Sequence, residues 1–162
     1  MTDGTWIIRR AEPPDAAALA DLLNALDLDD LGEEALCPYD AAVVLRDFIG
    51  ETAILATEVA VAGGSLVGCA AHNLAYHSET ARPARWLENL YVAPGWRGTG
   101  VAAALMSAVA RAAVDTGCDA VFWGVRRANA RGQRFYEKIG AADEAADIKV
   151  LMGPALTHCA GG

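Results

Sequence analysis

Glu88, Tyr136 and the loop from Arg97 to Ala103 are the residues of this chain whose types and spacing can do chemistry. A carboxylate can take a proton from an ammonium group, and a phenol can give one to a leaving group. The stretch Leu90-Tyr91-Val92-Ala93-Pro94-Gly95-Trp96-Arg97-Gly98-Thr99-Gly100-Val101-Ala102-Ala103 reads as a strand, a short loop and a helix start. The first N–H groups of such a helix have no intrahelical acceptor and point at whatever lies over the loop, which makes an anion site. Gly98 and Gly100 let a polyphosphate come close to that backbone, and Arg97 can add charge-assisted hydrogen bonds.

The loop lacks the Gly-Lys-Ser/Thr ending of a P-loop, so neither a lysine on the phosphates nor a hydroxyl on magnesium is available. A dinucleotide fingerprint fits loosely: Gly98-Thr99-Gly100 is followed by Ala103 at the third position, with Asp115 and Asp119 downstream.

The elements around these residues follow from periodicity. Thr5 to Arg10 reads as a strand with Trp6 and Ile8 on one face and Ile7 on the other. Pro13-Pro14-Asp15 starts a helix with the stripe Leu19, Leu22, Leu23, Leu26. An acidic loop from Asp27 to Cys37 follows; Pro38 then opens a helix carrying Ala41, Val44, Leu45 and Phe48 on one side, and Gly50 ends it. Ala53 to Val61, Gly63-Gly64 and Leu66 to Tyr76 form a hairpin, and Arg85 to Val92 a further strand. The helix from Gly98 to Asp115 buries Val101, Leu105, Ala108, Val109 and Ala112. Ala120 to Val125 reads as a short buried strand, Asn129 to Ile139 as a helix ended by Gly140, and Glu144 to Met152 as one or two short strands. The order is that of one α/β domain, residues 1–162, with a mixed sheet.

With 162 residues and 54% hydrophobic content the chain can bury one full core. The absence of a long apolar run or of a signal-peptide plan leads to the expectation of a cytoplasmic protein without membrane contact. Cys37, Cys69, Cys118 and Cys159 have no paired spacing and the histidines complete no zinc pattern, so no metal is expected and the thiols are buried or idle. A net charge of −8 argues against a nucleic-acid partner. Asp27, Asp29, Asp30, Glu33, Glu34, Asp40, Asp47 and Glu51 stand against a single Arg46, whereas Arg126, Arg127, Arg131 and Arg134 cluster later in the chain.

The pattern Arg97, Gly100, Ala102 resembles motif A of the GNAT acetyltransferase superfamily. The segment from Asn129 through Phe135-Tyr136 to Gly140 resembles that family's second signature. The resemblance implies the GNAT fold over nearly the whole chain, with acetyl-CoA as cosubstrate. Its pyrophosphate would lie on Gly98, Thr99, Gly100, Val101, Ala102 and Ala103, its pantetheine arm along the main chain of Leu90, Tyr91 and Val92, and Asn129 would bond the cofactor or cap its own helix. Tyr136 stands where the family carries its general acid. By period two Glu88 shares a face with Trp86, Leu90 and Val92, which would raise its proton affinity and suit a base acting directly or through water. The alternatives for Glu88 are an ion pair with Arg85 or an outward position created by a bulge.

Within the superfamily, Trp86-Leu87-Glu88-Asn89-Leu90-Tyr91-Val92 and the strand Val67 to Tyr76 are similar to the diamine (spermidine/spermine-type) acetyltransferases and relatives acting on lysine-like amines. Asn89 stands in place of the usual Asp, Gly132 in place of a common Ala, and the tail after Gly140 is shorter. The resemblance implies a small cationic primary amine as acceptor, held by Glu88, Asp27, Asp29 and Asp30, and a homodimer. Acetylation of a protein or peptide amine, and a non-catalytic coenzyme A-binding module, are the other readings.

Overall fold

The computed structural model describes residues 5–161, which form two compact units that meet in sequence between Asn129 and Ala130. The first unit holds a five-stranded sheet in the order β1-β2-β3-β4-β5. The strands are β1 (Trp6–Arg10), β2 (Ala56–Ala62), β3 (Ser65–His77), β4 (Arg82–Val92) and β5 (Val121–Phe122). Neighbours from β1 to β4 run antiparallel and β5 runs parallel to β4, so the sheet is mixed. Helices α1 (Ala16–Leu31) and α2 (Ala41–Asp47) pack on one face, where Leu19, Leu23, Val44 and Phe48 meet Val59, Cys69, Ala71 and Tyr91. Helix α3 (Val101–Asp115) covers the other face.

The two faces are kept apart by alternation along β3. Cys69 faces α1, and its thiol is pushed up to about 12 by burial, which leaves it inert. Gly68, the next position, faces α3. A Cβ there would lie 2.9 Å from the Tyr91 carbonyl oxygen, 3.2 Å from Leu105 and 3.3 Å from Val101. Only a residue without a side chain lets the first turns of α3 sit this low on the sheet. Cross-strand pairing places Gly68 opposite Val92, so the same contact fixes the start of α3 above the end of β4.

Several sequence expectations are corrected. Helix α1 runs on through Leu31, so the acidic loop begins at Gly32 and not at Asp27. Leu45 is 45% exposed, because α2 is short and turns Val44 alone into the core. On α3 the buried stripe is Val101, Leu105, Met106, Val109 and Ala113; Ala108 and Ala112 sit at its half-buried margin. Strand β5 is shorter than Ala120–Val125 and half-buried. The second unit carries α4 (Ala130–Lys138) and α5 (Pro154–Cys159), and residues 144–152 form no strand. Ile148, Val150 and Met152 alternate as a strand would, but they are exposed, and the described residues of this unit contain no strand to pair with them.

His72 on β3 is fully buried. Burial, then the charges of Arg85 and Arg10, lower its imidazole to about 4. An unfolded histidine titrates near 6.5, so the unfolded chain binds more protons between these values. The stability tied to this residue is complete above about pH 6.5 and is lost as the pH falls toward 4. His72→Gln is expected to flatten the fall in stability across that window in urea titrations at stepped pH. Gly68→Ala, which forces the β4 carbonyl or α3 to shift, is expected to destabilise the fold by about 1–3 kcal/mol in the same measurement.

Candidate active site

The strand that carries Glu88 does not keep strict alternation. Ala71 pairs with Asn89 and His72 with Leu87, which leaves Glu88 as the extra residue of a bulge. Glu88 is therefore exposed, not set among Trp86, Leu90 and Val92 as period two implied. Arg85 does not pair with it either: the guanidinium goes to His72 and to Thr116 at the end of α3. Asn89, opposite Ala71, turns to the face covered by α1 and α2.

A residue that the sequence did not single out completes this corner. Tyr39 lies in the connection between α1 and α2, and its main chain is clamped by one side chain. Asn24 of α1 donates to the Tyr39 carbonyl at 2.8 Å and accepts from the Tyr39 N–H at 3.0 Å. The ring packs edge-on against Phe48, with centroids 5.7 Å apart. Burial, then the charges of Asp27 and Glu88, raise the phenol above its ordinary value, and a hydrogen bond from the Asn89 side chain opposes that rise. Asp27, Tyr39, Glu88 and Asn89 thus form one polar neighbourhood with two carboxylates, on the α1 side of β4.

Asp29 and Asp30 have other partners. They lie on the last turn of α1, where negative charge opposes the helix dipole. Asp29 accepts from Arg97 in a short ion pair, and Asp30 lies 3.8 Å from the Arg126 guanidinium. Arg97 also donates through Nε to the Val92 carbonyl at 2.9 Å, and its guanidinium lies 5.5 Å over the Tyr91 ring. Its side chain therefore braces the loop between β4 and α1.

The loop enters α3 through two glycines in the left-handed region. Gly98 and Gly100 have φ of 79° and 92°, a conformation that other residues adopt only with strain. The first helical bond of α3 is Ala104 N–H to Gly100 O at 3.0 Å, and the N–H groups from Gly98 to Ala103 have no backbone acceptor among the described residues. Thr99 caps the preceding turn by donating to Trp96 O at 2.7 Å. On its other edge β4 pairs with β5 only at Arg85 and Trp86, so the ladder stops before Leu90.

Asn129 ends the first unit and directly precedes α4. Tyr136 belongs to the second unit, half-buried on α4, with its ring 5.3 Å from that of Phe135. Gly140, at φ 87°, closes the helix as expected, with Ala141 N–H bonded to Tyr136 O at 3.0 Å. Arg127, Arg131 and Arg134 are exposed. All four cysteines are free thiols. No group of three potential metal ligands gathers, and no helix is long and apolar enough to cross a membrane, among the described residues.

Residues 19–141 match the model of the acetyltransferase (GNAT) family, a span that includes the loop, Glu88, Asn129 and Tyr136. A segment of 54 residues is 52% identical to an uncharacterized N-acetyltransferase of Mycobacterium tuberculosis, covering 33% of this chain and 35% of that protein. The chain thus spans about a third of that relative's length. Thialysine N-epsilon-acetyltransferase of Bos taurus is 29% identical over 85% of this chain and 84% of its own. Aminoglycoside N(6')-acetyltransferase type 1 of Stenotrophomonas maltophilia is 36% identical over 68% of this chain and 69% of its own. Among solved structures, an integron cassette protein of V. cholerae shares the fold with a TM-score of 0.82 at 21% identity, over 97% of this chain and 98% of that one. Aminoglycoside N-acetyltransferase AAC(6')-Iy, solved in complex with CoA, has a TM-score of 0.70 at 22% identity, over 91% and 94%.

The Asn24 clamp gives this site a direct check. Asn24→Ala leaves the Tyr39 N–H and carbonyl without their partner, at an expected loss of about 1–3 kcal/mol. Hydrogen exchange is expected to speed up at residues 35–40 while the amides of β3 stay protected.

Proposed function

Because the chain belongs to the acetyltransferase (GNAT) family, we propose that it is an acetyl-CoA-dependent N-acetyltransferase acting on the primary amine of a small cationic molecule, polyamine or lysine-like. The observation that carries this reading is the succession along β4: a corner with two carboxylates at Asp27 and Glu88, then a strand edge without a ladder, then a loop of outward-facing N–H groups. A cation, a thioester arm and a pyrophosphate ask for these three environments in that order. The amines in the names of the thialysine and aminoglycoside relatives support the same class of acceptor.

In this reading the pyrophosphate takes hydrogen bonds from Gly98 to Ala103, where the positive end of α3 favours it. Arg97 acts by holding the loop in shape. The main chain of Leu90, Tyr91 and Val92 offers strand-like pairing to the pantetheine arm. The acceptor arrives as an ammonium ion, drawn by Asp27 and Glu88, and loses a proton to Glu88 or to a water between them. Because Glu88 is exposed, that proton passes on to solvent. The free amine attacks the thioester carbonyl, a C–N bond forms, the C–S bond breaks, the thiolate takes a proton from Tyr136, and the proton shed by the new amide nitrogen returns through water to the Tyr136 phenolate. Acetyl-CoA and the ammonium ion thus give the acetamide, coenzyme A thiol and one proton.

Free-thiol release from acetyl-CoA, measured across polyamines, lysine analogues and aminoglycosides, tests the activity. Turnover is expected with at least one primary amine, and no release with any of them would refute the reading. Glu88→Gln is expected to lower kcat/KM by about 10²–10³-fold. Tyr136→Phe is expected to lower kcat by at least about tenfold with the coenzyme A dissociation constant unchanged. An unaltered kcat removes Tyr136 from the acid role.

A further inference from the structure

The α3 face of the sheet holds a second polar feature, at the opposite end of the strands from the loop. Roughly 20 Å of extended strand separates Arg85 from Val92. A cavity of about 290 Å³ there is lined by Arg10, Glu51, Leu55, His72 and Arg85 among others. Its charges are unevenly matched. Arg10 pairs with Glu58 at 3.3 Å. The Arg85 guanidinium meets only neutral groups, His72 Nδ1 at 3.0 Å and Thr116 Oγ1 at 3.2 Å. No carboxylate forms an ion pair with Arg85 among the described residues, and its Nε is buried without a protein partner.

His72 adds a donor of fixed identity. A guanidinium can only donate, so Nδ1 of His72 accepts from Arg85 and the ring proton resides on Nε2. That Nε2–H is also buried without a protein partner, on a side chain with no exposed surface. A buried donor left unpaired is unfavourable, and a part-buried cation without a counter-charge more so. Arg85 and His72 both line the cavity, and a guanidinium there without a carboxylate partner is the complement of an oxygen anion. The ring stays neutral down to about pH 4, so the donor pattern holds over the physiological range.

We propose that this cavity binds a small oxyanion, a carboxylate or phosphate group, held by the Arg85 guanidinium, which Nδ1 of His72 orients. The site lies on the face of the sheet opposite Tyr39 and Asn89, and it is independent of the acetyl-transfer reading. Exposed Glu51 at the lining opposes highly charged ligands and favours a singly charged one.

The test is a titration of the full chain, with histidine ¹⁵N-labelled, by sodium acetate or sodium phosphate at pH 7 against sodium chloride at equal ionic strength. The readout is the imidazole ¹⁵N resonance of His72, which is local to the cavity. A saturable shift with acetate identifies a carboxylate ligand and one with phosphate a phosphate group; either supports the site, with chloride giving no saturation. Arg85→Gln is expected to weaken that binding at least tenfold, while Arg85→Lys, which keeps the charge, retains saturable binding. Absence of a saturable His72 shift with both oxyanions overturns the proposal, as does an affinity unchanged in Arg85→Gln. If Arg85→Gln does not fold, the wild-type titration alone decides.

Discussion

The ladder between β3 and β4 slips by one residue between Ala71 and His72, and Glu88 is the residue left over. Before it, Arg85 and Leu87 share a face with Leu74 and His72, under the end of α3. After it, Asn89 stands opposite Ala71 and looks toward α1. Without the bulge, a side chain two positions after Leu87 would remain on the α3 face. The slip therefore sends one end of β4 to the Arg85–His72 cavity and the other to the corner with Tyr39, and sets a carboxylate at the crossing point. The same strand loses its β5 ladder after Trp86, close to where the bulge strengthens the local twist.

A second constraint ties α1 to the anion loop. The helix ends in Asp27, Asp29 and Asp30, which oppose its dipole and would by themselves shorten it. Arg97 and Arg126 offset that charge from outside the helix. Arg97 is at the same time bonded to the last carbonyl of β4 and lies over Tyr91. One guanidinium thus joins the end of α1, the end of β4 and the start of the loop. The negative charge that composition suggested was available to a cationic ligand is partly used to hold the fold together, and Asp27, one turn back, is left beside Tyr39.

What could be read from the sequence was whatever a single segment determines. The glycines of the loop need positive φ, Gly140 must end α4, and Gly63-Gly64 must turn a hairpin; each is a local demand, and each is met. Glu88 was found by type, but the sequence left open whether it kept period two or sat outward on a bulge, because register belongs to two strands and the slip opposite Ala71 leaves no mark in either alone. Tyr39 was missed for a similar reason. It stands outside any motif, and the residue that fixes it, Asn24, looks like an ordinary polar position within an apolar helix. The alternation of Ile148, Val150 and Met152 was read as a strand because it satisfies period two; a ladder also needs a partner, which period two does not supply.

Asn89 shows how one departure in a motif changes the chemistry of its surroundings. Its side chain lowers the Tyr39 phenol while burial, Asp27 and Glu88 raise it, so the amide donates to the phenol oxygen. An ionised Asp at this position could only accept, and would put a third carboxylate beside Asp27 and Glu88. The phenol would then have to turn its proton toward that carboxylate. With Asn as donor to the phenol oxygen, Tyr39 keeps its own proton free to point away from β4. Compared with an Asp, the Asn puts less charge at this corner and adds a donor to it.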